Sequence, residues 1–191
     1  MKSQASSAPT SVQIVAPART GARVIAVLAA AVLTALAARV AVPLPGIPVP
    51  FTLQPVAVLL SGILLGAAGG MSSQLLYLAV GALGLPVFAA GGGAAYLLGP
   101  TGGYLLAFPL AAFVAGRIAS SMPGAVGVVS GAFLGLVAIH LGGLSWLAAV
   151  SGREAAMAVG LAPFFVGDLL KIAFVTVVAL GAGSRLRRAR D

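Results

Sequence analysis

Residues 54–85 read QPVAVLLSGILLGAAGGMSSQLLYLAVGALGL, thirty-odd positions without a single charge. The charge-free run extends outward in both directions, for no Asp, Glu, Lys or Arg occurs between Arg39 and Arg117. No water-exposed surface is built that way, because a soluble domain carries roughly 25% charged residues. Across all 191 residues the charged share is 7% and the apolar share 60%. The chain is therefore expected to be an all-α integral membrane protein. A helical span needs about 20 mainly apolar residues, so its length accommodates six such spans joined by tight connections.

The prolines and glycines divide the apolar runs. Span one covers 23–42, and its Ala35-Leu36-Ala37 resembles a signal-peptide cleavage site. The run is as long as a full span, however, and Arg39 sits where cleavage sites rarely carry a cation. Four prolines in 43–50 break the helix and define loop 1. Span two is expected over 54–68, closed by Gly69-Gly70, and span three over 72–85, closed by Pro86. Loop 3 occupies 86–103, with Gly91-Gly92-Gly93 and Gly99-Pro100-Thr101-Gly102-Gly103 inside it. Span four then runs to residue 121, span five covers 125–147, and span six covers 163–182, with loop 5 between the last two. Residues 1–18 are rich in Ser, Ala, Pro and Gln and read as a disordered cytoplasmic tail. Residues 19–185 form the membrane domain, and 186–191 a basic cytoplasmic tail.

Cations set the orientation. With the N-terminus inside, the cytoplasmic segments hold Lys2, Arg19, Arg23, Arg117, Arg185, Arg187, Arg188 and Arg190, and the outer segments only Arg39 and Arg153. Both termini are thus expected in the cytoplasm. Loops 1, 3 and 5 then all face outward, over a ligand pocket on the extracytoplasmic side. The net charge of +8 lies in membrane-edge clusters suited to anionic lipid, not on one basic face that would bind nucleic acid.

Composition excludes most catalysis. There is no Cys and a single His, so thiolate chemistry and Cys- or His-rich metal sites are ruled out. The acids Glu154, Asp168 and Asp191 stand far apart, which leaves no paired-carboxylate site. His140 and Ser145 are separated around a helix by their i, i+5 spacing, and no Gly-x-Ser-x-Gly motif accompanies them. The loop 3 glycines lack the Gly-Lys-Ser/Thr ending of a nucleotide loop.

Asp168 and Lys171 remain, one helical turn apart on one face near the start of span six. Ionisable groups inside a span are costly unless paired, and they commonly line a cavity. The pair reads either as mutually neutralised structure or as a polar ligand site. Lys171 would lie about 12 Å below the start of its helix. Phe51, Tyr77, Phe88, Tyr96 and Tyr104 cluster in or beside the outer loops and can stack on a flat ring. Thr52 and Gln54 either cap a helix or touch the ligand. Ala22, Ala26, Ala30, Thr34 and Ala38 form a small-residue stripe on span one, which packs either inside the chain or against a partner helix.

Four segments together resemble one known family: Pro48-Val49-Pro50-Phe51-Thr52-Leu53-Gln54, Gly84-Leu85-Pro86-Val87-Phe88, Gly99-Pro100-Thr101-Gly102-Gly103-Tyr104, and Pro163-Phe164-x-x-Gly167-Asp168-x-x-Lys171. The chain is similar from Arg23 to Arg185 to BioY, the biotin-specific S component of energy-coupling factor transporters. The resemblance implies a six-helix subunit of the bacterial cytoplasmic membrane that captures biotin from outside. Its implied partners are a transmembrane T subunit and two ABC-type ATPases, since the chain has no nucleotide motif of its own. No cofactor is implied, because biotin is the transported ligand. Asp168 would accept a ureido N–H, and Lys171 would donate to the ureido oxygen or the carboxylate. Phe51, Thr52 and Gln54 from loop 1, with Tyr77, Phe88, Gly91, Gly92, Gly93 and Tyr96 around loop 3, would complete the site. In loop 3 the resemblance departs, with Ala89, Ala90 and glycines where an amide side chain is expected. The stripe on span one would dock the T subunit. The alternative is a self-sufficient carrier without ATPase partners.

Overall fold

The computed structural model describes residues 20–188. The expected tail over 1–18 and the last residues of the basic segment lie outside that range. The described chain is helical apart from one strand pair, in the order α1 (Thr20–Ala37), β1 (Ala41–Val42), β2 (Phe51–Thr52), α2 (Gln54–Ala82), α3 (Ala94–Leu97), α4 (Gly102–Ser121), α5 (Gly124–Ser151), α6 (Arg153–Gly160), a 3-10 turn (Ala162–Phe164) and α7 (Phe165–Arg188). Five helices, α1, α2, α4, α5 and α7, are long and apolar enough to cross a membrane.

The expected second and third spans both fall within α2. At Gly66 the backbone leaves helical geometry, with φ 77° and ψ 168°, a region open essentially to glycine alone. Across this point the chain folds back on itself. Gln74 Nε2 donates to Ser61 Oγ at 3.2 Å, and Gln54 Nε2 donates to the Tyr77 hydroxyl at 2.6 Å. In an unbroken helix the second pair would stand about 35 Å apart. Residues 54–65 and 67–82 are therefore two antiparallel arms. The expected break at Gly69-Gly70 is corrected to Gly66: both later glycines are helical, and Gly70 lies against the backbone of Gly62, where any Cβ would collide. Two adjacent glycines mimic a turn in sequence, but here their missing side chains let the arms touch.

The remaining boundaries shift modestly. Helix α5 runs to Ser151, and α7 starts after the 3-10 turn that contains Pro163. Two short helices, α3 in loop 3 and α6 in loop 5, and the antiparallel β1–β2 pair were not anticipated. That pair sets Ala41 opposite Thr52 and Val42 opposite Phe51, clamping the two ends of the proline loop. Loop 1 is thereby held across the end of the bundle.

Helices α2, α4 and α5 supply most of the core, including Val58, Leu59, Ala111, Ala112, Ala115, Val128 and Ala132. Small residues allow this closeness. Gly62 lies against Ala112 of α4, Gly116 against Gly62 and Ala67, and Gly131 of α5 against Ala115 and Ala119. Helices α1 and α7 flank this core and turn large apolar side chains outward, among them Ile25, Val32 and Leu36 on α1 and Val166, Leu170 and Val177 on α7. An outward apolar face suits lipid or another membrane helix.

Candidate functional site

A narrow cleft, with about 60 Å³ of free space, opens where loops 1, 3 and 5 converge. Val49, Pro50 and Thr52 of loop 1, Ala89 and Tyr96 of loop 3, and Phe164 after loop 5 line its mouth and walls. Its body is formed by Tyr104, Leu105 and Phe108 of α4, Leu136, Ile139 and His140 of α5, and Asp168 and Lys171 of α7. Most of that lining is apolar. Charge is concentrated at one place.

That place is Asp168. Its Oδ1 accepts from Lys171 Nζ at 2.9 Å, and its Oδ2 is bonded to His140 Nε2. Lys171 is 5% exposed, and its ammonium lies 4.1 Å from the centroid of the Phe51 ring. A cation over an aromatic face gains stabilisation that rises when water is excluded. Phe51 in turn stacks on Phe164, with ring centroids 6.2 Å apart, and its ring edge covers Gly167, where a side chain would collide. Each element thus contributes one support: β2 places Phe51, the 3-10 turn places Phe164, and the first turns of α7 present Asp168 and Lys171 on one face.

A second polar chain runs along the opposite wall. The Thr52 hydroxyl donates to Gln54 Oε1 at 3.2 Å, Gln54 Nε2 donates to the Tyr77 hydroxyl, and that hydroxyl donates to the Val87 carbonyl at 3.2 Å. Loop 1, both arms of α2 and loop 3 are tied together by it. The Tyr104 hydroxyl donates to the Gly160 carbonyl at 2.9 Å, fixing α6. Trp146 Nε1 donates to the Gly99 carbonyl at 2.9 Å, fixing the end of loop 3.

The residues singled out from sequence divide into groups. Asp168, Lys171, Gln54, Thr52 and Tyr96 line the cleft, and Phe51 backs Lys171. Tyr77 and Phe88 are fully buried behind the wall, edge to face at 5.5 Å, with Phe88 stacked on Tyr96 at 5.1 Å. Gly91, Gly92 and Gly93 fold loop 3 instead of lining the cleft. Gly91 bridges to Phe88, Gly93 N–H donates to the Gly81 carbonyl at 2.7 Å, and Gly92 is pressed on Leu85.

The stripe on α1 splits along its length. Ala22 is exposed and Ala26 and Ala30 are half-buried, whereas Thr34 and Ala38 are fully buried inside the chain. Gln74 Nε2 donates to Thr34 Oγ1 at 3.1 Å. For Thr34 and Ala38 the expected docking surface is corrected to internal packing, because a polar amide on α2 draws that end of α1 inward.

His140 lines the cleft and bonds Asp168, a placement that sequence reasoning missed. Its partner is 28 positions away, and a lone His in an apolar run carries no periodic signal.

A helical bundle with outward apolar faces, closed at one end over a small cleft with a charged cluster, defines a multi-pass membrane protein with a candidate ligand cleft. The chain belongs to the BioY family, whose model matches residues 7–188. That family is one of transporters, not enzymes. The protein of Pyrococcus horikoshii named "Probable biotin transporter BioY" is 43% identical over 148 residues, spanning 77% of this chain and 87% of its own length. The "Biotin transporter BioY" of Thermotoga maritima is 42% identical over 135 residues, 70% of this chain and 80% of its own. The fold matches the crystal structure of "the S-component for biotin from an ECF-type ABC transporter" with TM-score 0.69 and 24% identity, over 91% of this chain and 95% of that one.

Proposed function

We propose that this chain is the biotin-capturing S component of an energy-coupling factor transporter in a bacterial cytoplasmic membrane. The observation that carries the reading is the Asp168–Lys171 pair at one place in an otherwise apolar cleft. Biotin combines a flat ureido head, with two N–H donors and one carbonyl, with an apolar tail ending in a carboxylate. Asp168 and Lys171 neutralise each other, so a neutral head fits against them: the carboxylate accepts a ureido N–H, and the ammonium donates to the ureido oxygen. Apolar walls from Leu136, Ile139 and Phe108 suit the thiophane ring and tail. The anionic end then points toward the open mouth, where water solvates it.

In this reading each arm of α2, completed by the loop residues that flank it, crosses the membrane, giving six spans. The cation count supports both termini inside and the cleft outside. Uptake needs a transmembrane T subunit and two ABC-type ATPases, because binding alone does no work against a gradient. The exposed face of α1, including Ala22 and the half-buried Ala26 and Ala30, is where the T subunit docks.

Native mass spectrometry tests the substrate. Chain purified from cells supplied with a mixture of vitamins is expected to carry one biotin per protein. A bound thiamine or riboflavin would overturn the assignment.

A further inference from the structure

His140 has no role in the site as described so far, yet it occupies one whole side of the Asp168 carboxylate. Three observations bear on how it meets Asp168. Lys171 Nζ sits 2.9 Å from Asp168 Oδ1, which keeps this carboxyl ionised and purely an acceptor. The hydrogen bond between Nε2 and Oδ2 therefore has its proton on the imidazole Nε2. The other ring nitrogen, Nδ1, is buried without a partner among the described residues, so only Nε2 makes a polar contact there.

Its position adds a second point. His140 and Asp168 line the cleft and also line an apolar groove between α5 and α7, bounded by Phe133, Leu141 and Leu169. The pair stands in the wall between the ligand space and the lipid-facing surface. Lys171 approaches Asp168 from the same helix and ties only Oδ1. Without a second tie the carboxylate can rotate, and Oδ2 loses its donor in an apolar setting.

We propose that His140 is a positioning residue for ligand capture, a neutral Nε2–H donor that locks the Asp168 carboxylate in the one rotation that faces the cleft and closes the wall toward the groove. This rests on the reading of the cleft as a site for a urea-like head, since only a hydrogen-bond donor needs an acid aimed so closely. Tyr104, edge-on to the imidazole with centroids 6.1 Å apart, and Phe164, at 6.3 Å, hold the ring without competing for its nitrogens.

The chain has one His, so nitrogen-15 labelling of histidine in tag-free protein gives a single imidazole. Ligand-free protein is expected to show a neutral ring protonated at Nε2, and Asp168→Asn is expected to move that resonance. An imidazolium, an Nδ1–H tautomer or no response to Asp168→Asn would overturn the proposal, and none of these depends on which ligand binds. In biotin titrations His140→Phe is expected to weaken binding about tenfold or more, as for loss of a hydrogen bond to a charged group. His140→Gln, which restores a donor near the Nε2 position, is expected to recover most of that loss. Unchanged binding by His140→Phe, or a His140→Gln as weak as His140→Phe, would reduce His140 to packing. Wild-type protein that shows the expected tautomer and binds no biotin would instead count against the substrate while leaving the Asp168 lock in place.

Discussion

Gln54 donates from Nε2 to the Tyr77 hydroxyl at 2.6 Å, although 23 residues separate the two within α2. The bond exists because Gly66 reverses the chain, and it carries a structural load from the turn to the cleft. Gln54 lines the cleft on one side of this bond, and Tyr77 holds the Val87 carbonyl of loop 3 on the other. Tyr77→Phe removes one hydroxyl and leaves a buried amide short of a partner, which costs about 1–3 kcal/mol. Lower thermal stability and weaker biotin binding are expected together, checked by melting in detergent and titration of the same preparation.

The reversal itself is open to test. Gly66→Ala forces an L side chain into a φ of 77°, at a cost of about 1–3 kcal/mol. Gly70→Ala is expected to be at least as damaging, since its Cβ meets the Gly62 backbone. Gly21→Ala, at a position with nothing nearby, is expected to leave the melting temperature unchanged. Equal behaviour of all three would contradict the hairpin.

Asp168→Asn and Lys171→Ala are each expected to weaken biotin binding by a hundredfold or more, because removing one member of a buried ion pair strands the other at about 3–5 kcal/mol. The double variant is expected to lose less than the sum, since both groups belong to one network. Additive losses, measured by a titration cycle, would separate the two residues.

Orientation can be read chemically because the chain has no native cysteine. Single cysteines at Leu83 and Leu98, both exposed at the loop 3 end, are expected to react with a membrane-impermeant thiol reagent added to intact cells. A cysteine at Met122, exposed between α4 and α5, is expected to react only after the membrane is opened. The opposite pattern would invert the topology.

The two halves of the α1 stripe are expected to respond differently. Ala38→Leu places bulk where no space exists and should lower stability of the isolated chain, in the range of about 1–3 kcal/mol for overpacking. Ala26→Leu should spare stability and biotin binding but impair capture of the T subunit in a pull-down. If Ala26→Leu leaves capture intact, docking uses another face.

The sequence made legible what hydrophobicity and spacing encode. The apolar runs marked every long helix, because a span must be continuous to satisfy its backbone in lipid. The i, i+3 spacing of Asp168 and Lys171 anticipated a real contact, since both lie on one helix. What escaped depended on tertiary position. Gly66 looks no different from Gly62 or Gly70 in sequence, and only the packed arms reveal which glycine turns. Helices α3 and α6 are too short to give a period. Thr34 turned inward for the sake of Gln74, 40 positions away, and His140 joined the site through Asp168, 28 positions away.

The most direct measurement is equilibrium titration of the purified, ligand-stripped chain, without T subunit or ATPases, against biotin, thiamine and riboflavin. Saturable binding of biotin at one site per chain is expected, with little response to the other two and loss of binding in Asp168→Asn. No biotin binding by the isolated chain, or a preference for either other vitamin, would contradict the assignment of this cleft.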